Sequence, residues 1–340
     1  MSRRARAAAV ALPLFTGACS IQHYQSIFSD AAVEVRQFNI LFVIFLVICA
    51  IMYLAVIAFL AAGLVRRRRR LANVMEDGRH HESDPLMRTA LIGWGVVVGI
   101  GLVGLAIASF IADRSMANAA ANEKLSITLT ANQWWWDVRY NSADSSKTLR
   151  TANELHLPIG VPVRIILNSN DVIHSFWVPR LAGKQDLIPG RQNDISITPT
   201  RIGIYRGQCA EYCGAQHAHM ALVVNVDSYA DFLKWWRDQL QPAPPPSTAL
   251  TLAGYNFVTG RNCSACHAIA GTPASGTVGP DLTHLASRRT IAAGRMPMGK
   301  GNLYGWVADP QSLKPGSKMP TVGLEPDQLH AVVAYLETLK

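Results

Sequence analysis

The 340-residue chain is predicted to be a multidomain membrane protein with a two-helix transmembrane hairpin, an all-β sandwich and a small all-α domain. Three observations predict this fold class. Two long uncharged runs lie near the N-terminus, and short β-branched runs fill the middle of the chain. A proline-rich spacer then precedes a C-terminal segment that ends with helical periodicity.

A short leader is predicted at residues 1–22. Its basic start (SRRAR, residues 2–6) precedes an apolar run at 7–15, as in a signal peptide. The box TGAC (residues 16–19) is similar to a bacterial lipoprotein cleavage site, although threonine is unusual at its first position. Cys19 is therefore a candidate for lipidation, and an uncleaved amphipathic tail is the alternative.

The transmembrane hairpin is predicted at residues 36–113. The runs 40–65 and 89–112, of 26 and 24 residues, contain no Asp, Glu, Lys or Arg, and about 20 apolar residues cross a bilayer. The connecting loop holds seven Arg, whereas the segment 21–37 holds one. Because positive charge marks the cytoplasmic side, the rest of the chain is expected outside. A buried hairpin of a soluble protein is the alternative.

The β sandwich is predicted at residues 114–240. Its short runs are rich in alternating or β-branched residues and are punctuated by Pro and Gly, which is typical of a sandwich. The runs are LSITLTANQWWWDVRY (125–140), ELHLPIGVPVRIILN (154–168), NDISITPT (193–200) and MALVVNV (220–226). A helix at 228–240 is expected to close the domain.

A linker and a helical domain complete the chain. The segment QPAPPPS (241–247) has four prolines in seven residues, which predicts an extended spacer. Residues 248–340 contain no convincing strand. Pro326 suits the first turn of a final helix, in which apolar residues recur at helical spacing.

The C-terminal domain carries the motif C-x-x-C-H at residues 263–267. The thiols of Cys263 and Cys266 are expected to add to the haem vinyl groups, and His267 to bind the iron. A thioredoxin-like redox pair would need a strand–helix setting that is not predicted here. Candidates for the second axial ligand are Met296, Met298 and Met319. Met319, in the loop SKMPTVG before the last helix, is favoured.

A second cluster of ligands lies in CAEYCGAQHAHM (residues 209–220). Thiolate, imidazole and thioether groups together favour copper, whereas methionine is a poor ligand for zinc. A blue-copper site uses one cysteine, so the second cysteine favours two copper ions bridged by both thiolates. A disulfide is the remaining alternative in an exported domain. His174, in NDVIHSFWVP (170–179), is the candidate ligand from outside the cluster.

Residues 171–220 resemble the binuclear copper A domain of cytochrome c oxidase subunit II. The family pattern C-x-E-x-C-x₃-H-x₂-M is matched at Cys209, Glu211, Cys213, His217 and Met220, with His174 as the distant histidine. The resemblance implies a cupredoxin-like Greek-key sandwich. It also implies that Glu211 binds copper through its backbone carbonyl and contributes its carboxylate to a magnesium site shared with subunit I. His219 falls outside the pattern.

The fused C-x-x-C-H domain resembles the subclass whose subunit II carries its own class I cytochrome c domain, with Met319 as the second iron ligand. The segment QWWWDVRY (133–140) is similar to the family's aromatic cluster near copper A, and Trp134 matches the position that receives electrons from cytochrome c. The second transmembrane run lacks the family's usual Glu before the Trp, so a proton-uptake role associated with that Glu does not carry over.

The resemblance implies subunit II of a proton-pumping terminal oxidase in a bacterial inner membrane, with its redox domains on the periplasmic side. Electrons are expected to enter at haem c, pass to copper A and leave for haem a of subunit I, where oxygen is reduced to water. No residue of this chain is expected to act as a general base or nucleophile. Subunits I and III, a cytochrome c or other donor, and membrane lipid are expected partners, and nucleic acid is not.

Two other functions remain as alternatives. A membrane-anchored copper-delivery protein would need no haem, and a quinol-oxidase-type structural subunit would lack the copper ligands.

Overall fold

The computed structural model describes residues 25–77, 85–120, 123–144 and 147–340. The predicted leader with Cys19 lies outside the described residues. The predicted fold class is confirmed by the rest of the chain. Two long apolar helices precede two five-stranded sheets, and short helices follow them.

The N-terminal helices are α1 (Val33–Asp77) and α2 (Pro85–Ala120). Residues 36–118 form a compact unit of their own. Each helix contains a stretch that is long and apolar enough to cross a membrane, Val33–Arg69 in α1 and Pro85–Arg114 in α2. Large apolar side chains along both helices are exposed, which is favourable where lipid covers them.

The β sandwich belongs to a second compact unit, which comprises residues up to 35 together with residues 119–340. Its strands are β1 (Leu125–Asn132), β2 (Trp135–Asn141), β3 (Leu149–Ala152), β4 (Glu154–Pro158), β5 (Val163–Ser169), β6 (His174–Trp177), β7 (Gln185–Leu187), β8 (Asn193–Ile197), β9 (Gly203–Cys209) and β10 (Ala221–Asp227). One sheet has the order β3-β2-β1-β5-β8 and the other β4-β10-β9-β6-β7.

The period-two pattern of the strands builds the core of the sandwich. Ile127 and Leu129 of β1 and Val138 and Tyr140 of β2 have no exposed surface, and the residues between them are less buried. Leu129 lies opposite Val138 in the antiparallel pair. Because side chains alternate across a strand, these residues face the second sheet together.

The structure divides two predicted runs, 125–140 into β1 and β2 and 154–168 into β4 and β5, and adds four strands that the sequence did not predict. The run 125–140 is a hairpin of β1 and β2 with its turn at residues 133–134. Strands β3, β6, β7 and β9 were missed. The first three have only three or four residues each, and β9 (GIYRGQC) combines two glycines with a charged residue. Such sequences have weak strand propensity and owe their conformation to pairing within the sheet.

The helix that closes the sandwich is α3 (Tyr229–Gln239), and its N-terminus is capped by the Ser228 side chain. The C-terminal domain contains α4 (Ala249–Thr259), α5 (Arg261–Ser264), α6 (Lys300–Ala308), α7 (Pro310–Leu313) and α8 (Pro326–Leu336). Pro326 occupies the first turn of α8, as predicted. The expectation of no strand in this domain was wrong, because β11 (Thr290–Ile291) pairs with β12 (Met296–Pro297).

The proline-rich linker is attached to the C-terminal domain near its start. The Ala243 amide donates to the Ala270 carbonyl at 2.9 Å. Gly271 has a φ of +82°, and a Cβ at this position would lie 2.6 Å from Cβ of Pro242. The end of the sandwich is therefore connected to the helical domain by a short segment with fixed contacts.

Helices α4 and α8 pack closely at a glycine. A Cβ at Gly254 of α4 would lie 2.0 Å from the Ala331 carbonyl oxygen and 2.8 Å from Cβ of Tyr335. The rings of Tyr255 and Tyr335 meet edge to face, with centroids 5.5 Å apart. The absence of a side chain at Gly254 therefore sets the distance between the two helices.

We expect Gly254→Ala to destabilise the C-terminal domain by roughly 1–3 kcal/mol, because the added methyl group overpacks a backbone contact. Pulse proteolysis of the purified chain in increasing urea measures this loss. Gly301→Ala is the matched control, since Gly301 lies in α6 with no atom near its missing Cβ. Its stability should be equal to or slightly above that of the wild type. Equal urea resistance of the two variants would contradict the packing argument.

Candidate metal and haem centres

Three neighbouring strands bring the first group of candidate ligands together. His174 begins β6, Cys209 ends β9, and Met220 immediately precedes β10. The end of β9 is held on both sides, because the Cys209 amide donates to the Met220 carbonyl at 2.9 Å and the Ala210 amide donates to the Ser175 carbonyl at 3.0 Å. The loop between Cys209 and Met220 is therefore anchored at the hydrogen-bonded ends of strands β6, β9 and β10.

The two cysteines of this loop are free and buried, with 4% and 2% of Cys209 and Cys213 exposed. Their Sγ atoms are 3.7 Å apart, well beyond a disulfide bond of about 2.05 Å. The hydrogen bond from Cys213 lowers the pKa of Cys209 to about 4, and the neighbouring thiolate raises the pKa of Cys213. The metal-free pair therefore retains one proton, which a bound cation would displace.

Each cysteine has one histidine beside it. Nδ1 of His174 lies 3.7 Å from Sγ of Cys209, and Nδ1 of His217 lies 3.6 Å from Sγ of Cys213. Sδ of Met220 is 3.9 Å from Sγ of Cys213. Ligand atoms of His174 and both cysteines lie within 4.8 Å of one another. This soft set of sulfur and nitrogen donors fits copper.

Glu211 and His219 also lie in this loop, and they make different contacts. The Glu211 carbonyl oxygen lies 3.2 Å from Sγ of Cys209, whereas its carboxylate accepts a hydrogen bond from the Tyr212 amide at 3.1 Å. The carbonyl alone therefore faces the sulfur pair. Nδ1 of His219 contacts the Gln216 side chain at 2.7 Å.

Asp171 orients His174 and was missed by the sequence analysis. Nε2 of the fully buried His174 donates to Oδ1 of Asp171 at 2.9 Å, so in the neutral ring Nδ1 is the nitrogen available to a metal, and it is directed at Cys209. Burial raises the pKa of Asp171, but hydrogen bonds from His174 and from the amides of Gln133 and Val172 outweigh it and lower the pKa overall. A carboxylate three residues before a candidate ligand was the available signal.

A cavity in the C-terminal domain contains the second group of candidates. Cys263, Cys266, His267 and Met319 all line it, together with apolar side chains such as Leu282 and Leu303. Met296 and Met298 pack against the apolar core of this domain and are not among the residues that line the cavity. Of the three methionines considered, Met319 is therefore the one that lines the same cavity as His267.

Contacts around His267 fix its ring. Its Nδ1 donates to the Pro280 carbonyl at 2.7 Å, and a Cβ at Gly279 would lie 2.7 Å from Cε1 of the ring. Burial lowers the pKa of His267, which favours the neutral imidazole that binds metals. With Nδ1 occupied, Nε2 is the nitrogen available to an iron ion.

Arg288 provides a further test of whether a haem fits this cavity. It lines the wall, it is 8% exposed, and its Nε has no hydrogen-bond partner among the described residues. A buried donor without an acceptor is costly. The Nη2 of the same guanidinium donates to the Asp281 carbonyl, so Nε is the buried donor left without a partner among the described residues. An apolar cavity with two thiols, a histidine, a methionine and a guanidinium with one unsatisfied donor fits an apolar macrocycle that carries carboxylates.

Trp134 lies between the two groups of candidates. Its Nε1 donates to the Cys213 carbonyl at 3.0 Å, and a Cβ at Gly214 would lie 3.1 Å from its ring. A Cβ at Gly316 would lie 3.6 Å from the same ring. Trp134 also lines the haem cavity, as does Trp135. One side chain therefore contacts both the cysteine loop and the loop that carries Met319.

Comparisons with known proteins agree with this division of the chain. Residues 125–227 match the family "Cytochrome C oxidase subunit II, periplasmic domain", and residues 252–340 match "Cytochrome c". Cytochrome c oxidase subunit 2 of Alkalihalophilus pseudofirmus is 32% identical over 259 residues, covering 74% of each chain. The corresponding protein of Bacillus sp. (strain PS3) is 31% identical and covers 73% of each chain.

A solved structure is also similar to part of this chain. The periplasmic domain of cytochrome oxidase subunit II (CoxB) of Bradyrhizobium japonicum is 28% identical, with a TM-score of 0.32. The match covers 34% of this chain and 94% of that one.

We expect Asp171→Ala to lower the copper affinity of the purified chain about 10- to 100-fold, because His174 loses the partner that fixes its tautomer. Competition with a chelator of known affinity measures the change. Asp194→Ala is the control, since this exposed carboxylate pairs with Arg164 on β5 at 3.3 Å, within the sheet that does not contain His174 or Cys209. Loss of affinity in both variants would show that the Asp171–His174 contact is not the cause.

Proposed function

Because this chain belongs to the cytochrome c oxidase subunit 2 family, we propose that it is the electron-input subunit of a terminal oxidase. Its C-terminal domain is a cytochrome c domain. Under this proposal, electrons enter at haem c, pass to copper A and leave for haem a of subunit I, where reduction of oxygen to water is linked to proton pumping. When bound, the copper ions and the haem supply reversible one-electron chemistry.

The copper A centre is proposed to be held by His174, Cys209, Glu211, Cys213, His217 and Met220. The support is their convergence on two buried thiols that are each paired with one histidine. Hydrogen bonds of β6, β9 and β10 hold this loop before any metal binds, so little rearrangement is needed when its charge changes. The Glu211 carboxylate remains a proposed ligand of a magnesium ion shared with subunit I.

The haem is proposed to be attached through Cys263 and Cys266, with His267 and Met319 as the axial ligands. The chain holds His267 by the Pro280 carbonyl, and it holds the Met319 backbone by the Gln311 side chain, whose Nε2 donates to the Met319 carbonyl at 2.6 Å. A methionine ligand raises the reduction potential of a haem, which suits a carrier between a donor and copper.

The observation that carries the function is the double contact of Trp134. This residue lies against the Cys213 carbonyl and against the Met319 loop within one compact unit, which supports a direct path between the two proposed centres. A copper-delivery protein would gain nothing from a second redox site, and it would expose its ligands rather than bury Cys209 and Cys213. A quinol-oxidase-type subunit would have no use for either cysteine.

The two apolar helices and the match to a periplasmic domain indicate a membrane-anchored protein. We further propose a bacterial inner membrane with both redox domains on its outer side, subunits I and III as partners, and a cytochrome c or another carrier as the donor. Lipidation at Cys19 stays a prediction.

The function is tested by reducing the haem of the purified, metal-loaded chain with an added photoactivated electron donor and a light pulse, and following haem and copper absorbance. Copper should become reduced as the haem is reoxidised. Trp134→Phe should slow this step roughly tenfold, because the phenyl ring cannot donate to Cys213 and fills less of the space between the loops. Trp236→Phe, on the helix that closes the sandwich, is the control. A wild-type chain that transfers no electron to copper would overturn the proposal.

Met319→Leu should remove one iron ligand, lower the haem reduction potential and leave the copper spectrum unchanged. Visible spectroscopy combined with a redox titration measures both effects. Met298→Leu provides the matched control, since Met298 packs against the core of the same domain. If Met298→Leu changes the haem spectrum and Met319→Leu does not, the axial assignment is wrong.

A further inference from the structure

Lys314 is a buried lysine between the two redox domains. Only 2% of it is exposed, although it lies in the loop between α7 and Met319. Its Nζ donates to the carbonyls of Trp134 at 2.7 Å, His219 at 2.9 Å and Ala292 at 2.9 Å. The first two carbonyls belong to the copper domain and the third to the cytochrome domain, so a single amine connects both.

The number of acceptors identifies the protonation state of this amine. An ammonium has three N–H donors, and each one has its own carbonyl here, whereas a neutral amine has two. Burial is the main cause that lowers the pKa of Lys314 to about 7, while the electrostatic interaction with Cys213 raises this pKa and that with Arg295 lowers it. Among the described residues, no carboxylate forms an ion pair with Lys314. At pH values below its pKa, backbone dipoles therefore replace water around the positive charge of this amine.

Each of the three carbonyls belongs to a segment whose position matters for the two centres. Trp134 is the residue whose indole contacts the copper loop. His219 directly precedes the candidate ligand Met220. Ala292 and Ala293 both have positive φ values, of 53° and 60°, which alanine adopts only when other contacts hold it. The Ala293 carbonyl accepts from the Ala221 amide of the copper domain at 2.9 Å, beside the Lys314 contact.

The loop that follows Lys314 repeats this arrangement. The Pro315 carbonyl accepts from Nε2 of Gln216 in the copper loop at 2.9 Å. Gly316, with a φ of +81°, packs on the Trp134 ring. Because Met319 lies three residues farther along, the contacts of residues 314–316 determine how closely the proposed iron ligand approaches Trp134.

The geometry points to the Lys314 ammonium as a positioning group that holds Trp134 and the Met319 loop against each other and so sets the path between the two centres. This role rests on the proposed function. A fixed cation between two centres also stabilises the form of each centre that has gained an electron. Loss of the charge should therefore lower both midpoint potentials, which a purely structural contact would not do.

Lys314→Met tests this role in the full chain, because the variant keeps the length of the side chain and removes the charge and all three donors. Hydrogen exchange of the metal-free chain should become about tenfold faster in residues 133–136, 217–221 and 291–294, where buried carbonyls have lost their partner. In the loaded chain, haem-to-copper transfer should slow roughly tenfold. Both midpoint potentials should fall.

Lys300→Met is the matched control. Lys300 belongs to the same domain, its side chain is 58% exposed, and it pairs with Glu337. Exchange, transfer and potentials should all stay at wild-type values. If Lys314→Met yields no folded chain, Lys314→Gln takes its place, since it removes the charge but keeps two donors. Its potentials should fall in the same way, and exchange in the three segments should again be faster.

The outcomes separate this inference from the proposed function. Wild-type exchange in the three segments, or wild-type values of both potentials, would overturn the role of Lys314. A wild-type chain with no haem-to-copper transfer would overturn the proposed function, and the exchange of the metal-free chain would still decide whether Lys314 joins the domains.

Discussion

The hydrogen bond from the Trp134 indole to the Cys213 carbonyl is the contact on which the arrangement of both centres depends. It joins the residue that forms a wall of the haem cavity to the backbone of the cysteine loop. The same ring also lies close to Gly316, so the Met319 loop can approach only as far as the tryptophan allows. Trp134 therefore helps to fix the position of one domain against the other, so the two domains do not need to meet by diffusion in solution.

Electrostatics in this region is controlled by burial and not by surface charge. The Sγ atoms of the two buried thiols lie 3.7 Å apart, and the Lys314 amine is surrounded by carbonyl oxygens. Both groups are nearly inaccessible to water, so each interacts strongly with any charge that develops nearby. An aqueous interface of the same shape would screen these effects.

The sequence predicted the parts of the site that lie in short motifs and missed the parts that depend on distant contacts. The spacing of Cys209 and Cys213, and that of Cys263 and Cys266, is itself dictated by the cofactor chemistry. Asp171 stands three residues before His174 and could have been found. By contrast, Lys314 meets Trp134 across 180 residues, and no local pattern encodes such a contact. The sequence did not predict four of the strands for a related reason, because their conformation depends on pairing with neighbouring strands in the sheet.

The linker at residues 241–247 has a consequence for the order of the reaction. A donor that diffuses must find its acceptor, and charge steering makes such encounters sensitive to salt. Here the tether keeps the haem domain at a high effective concentration beside its acceptor. Several contacts across the interface use backbone groups, which salt does not screen, although Lys318 and Asp171 also form an ion pair across it. Under the proposed function, electron transfer between the domains would therefore be first order, with a rate independent of the abundance of the protein in the membrane.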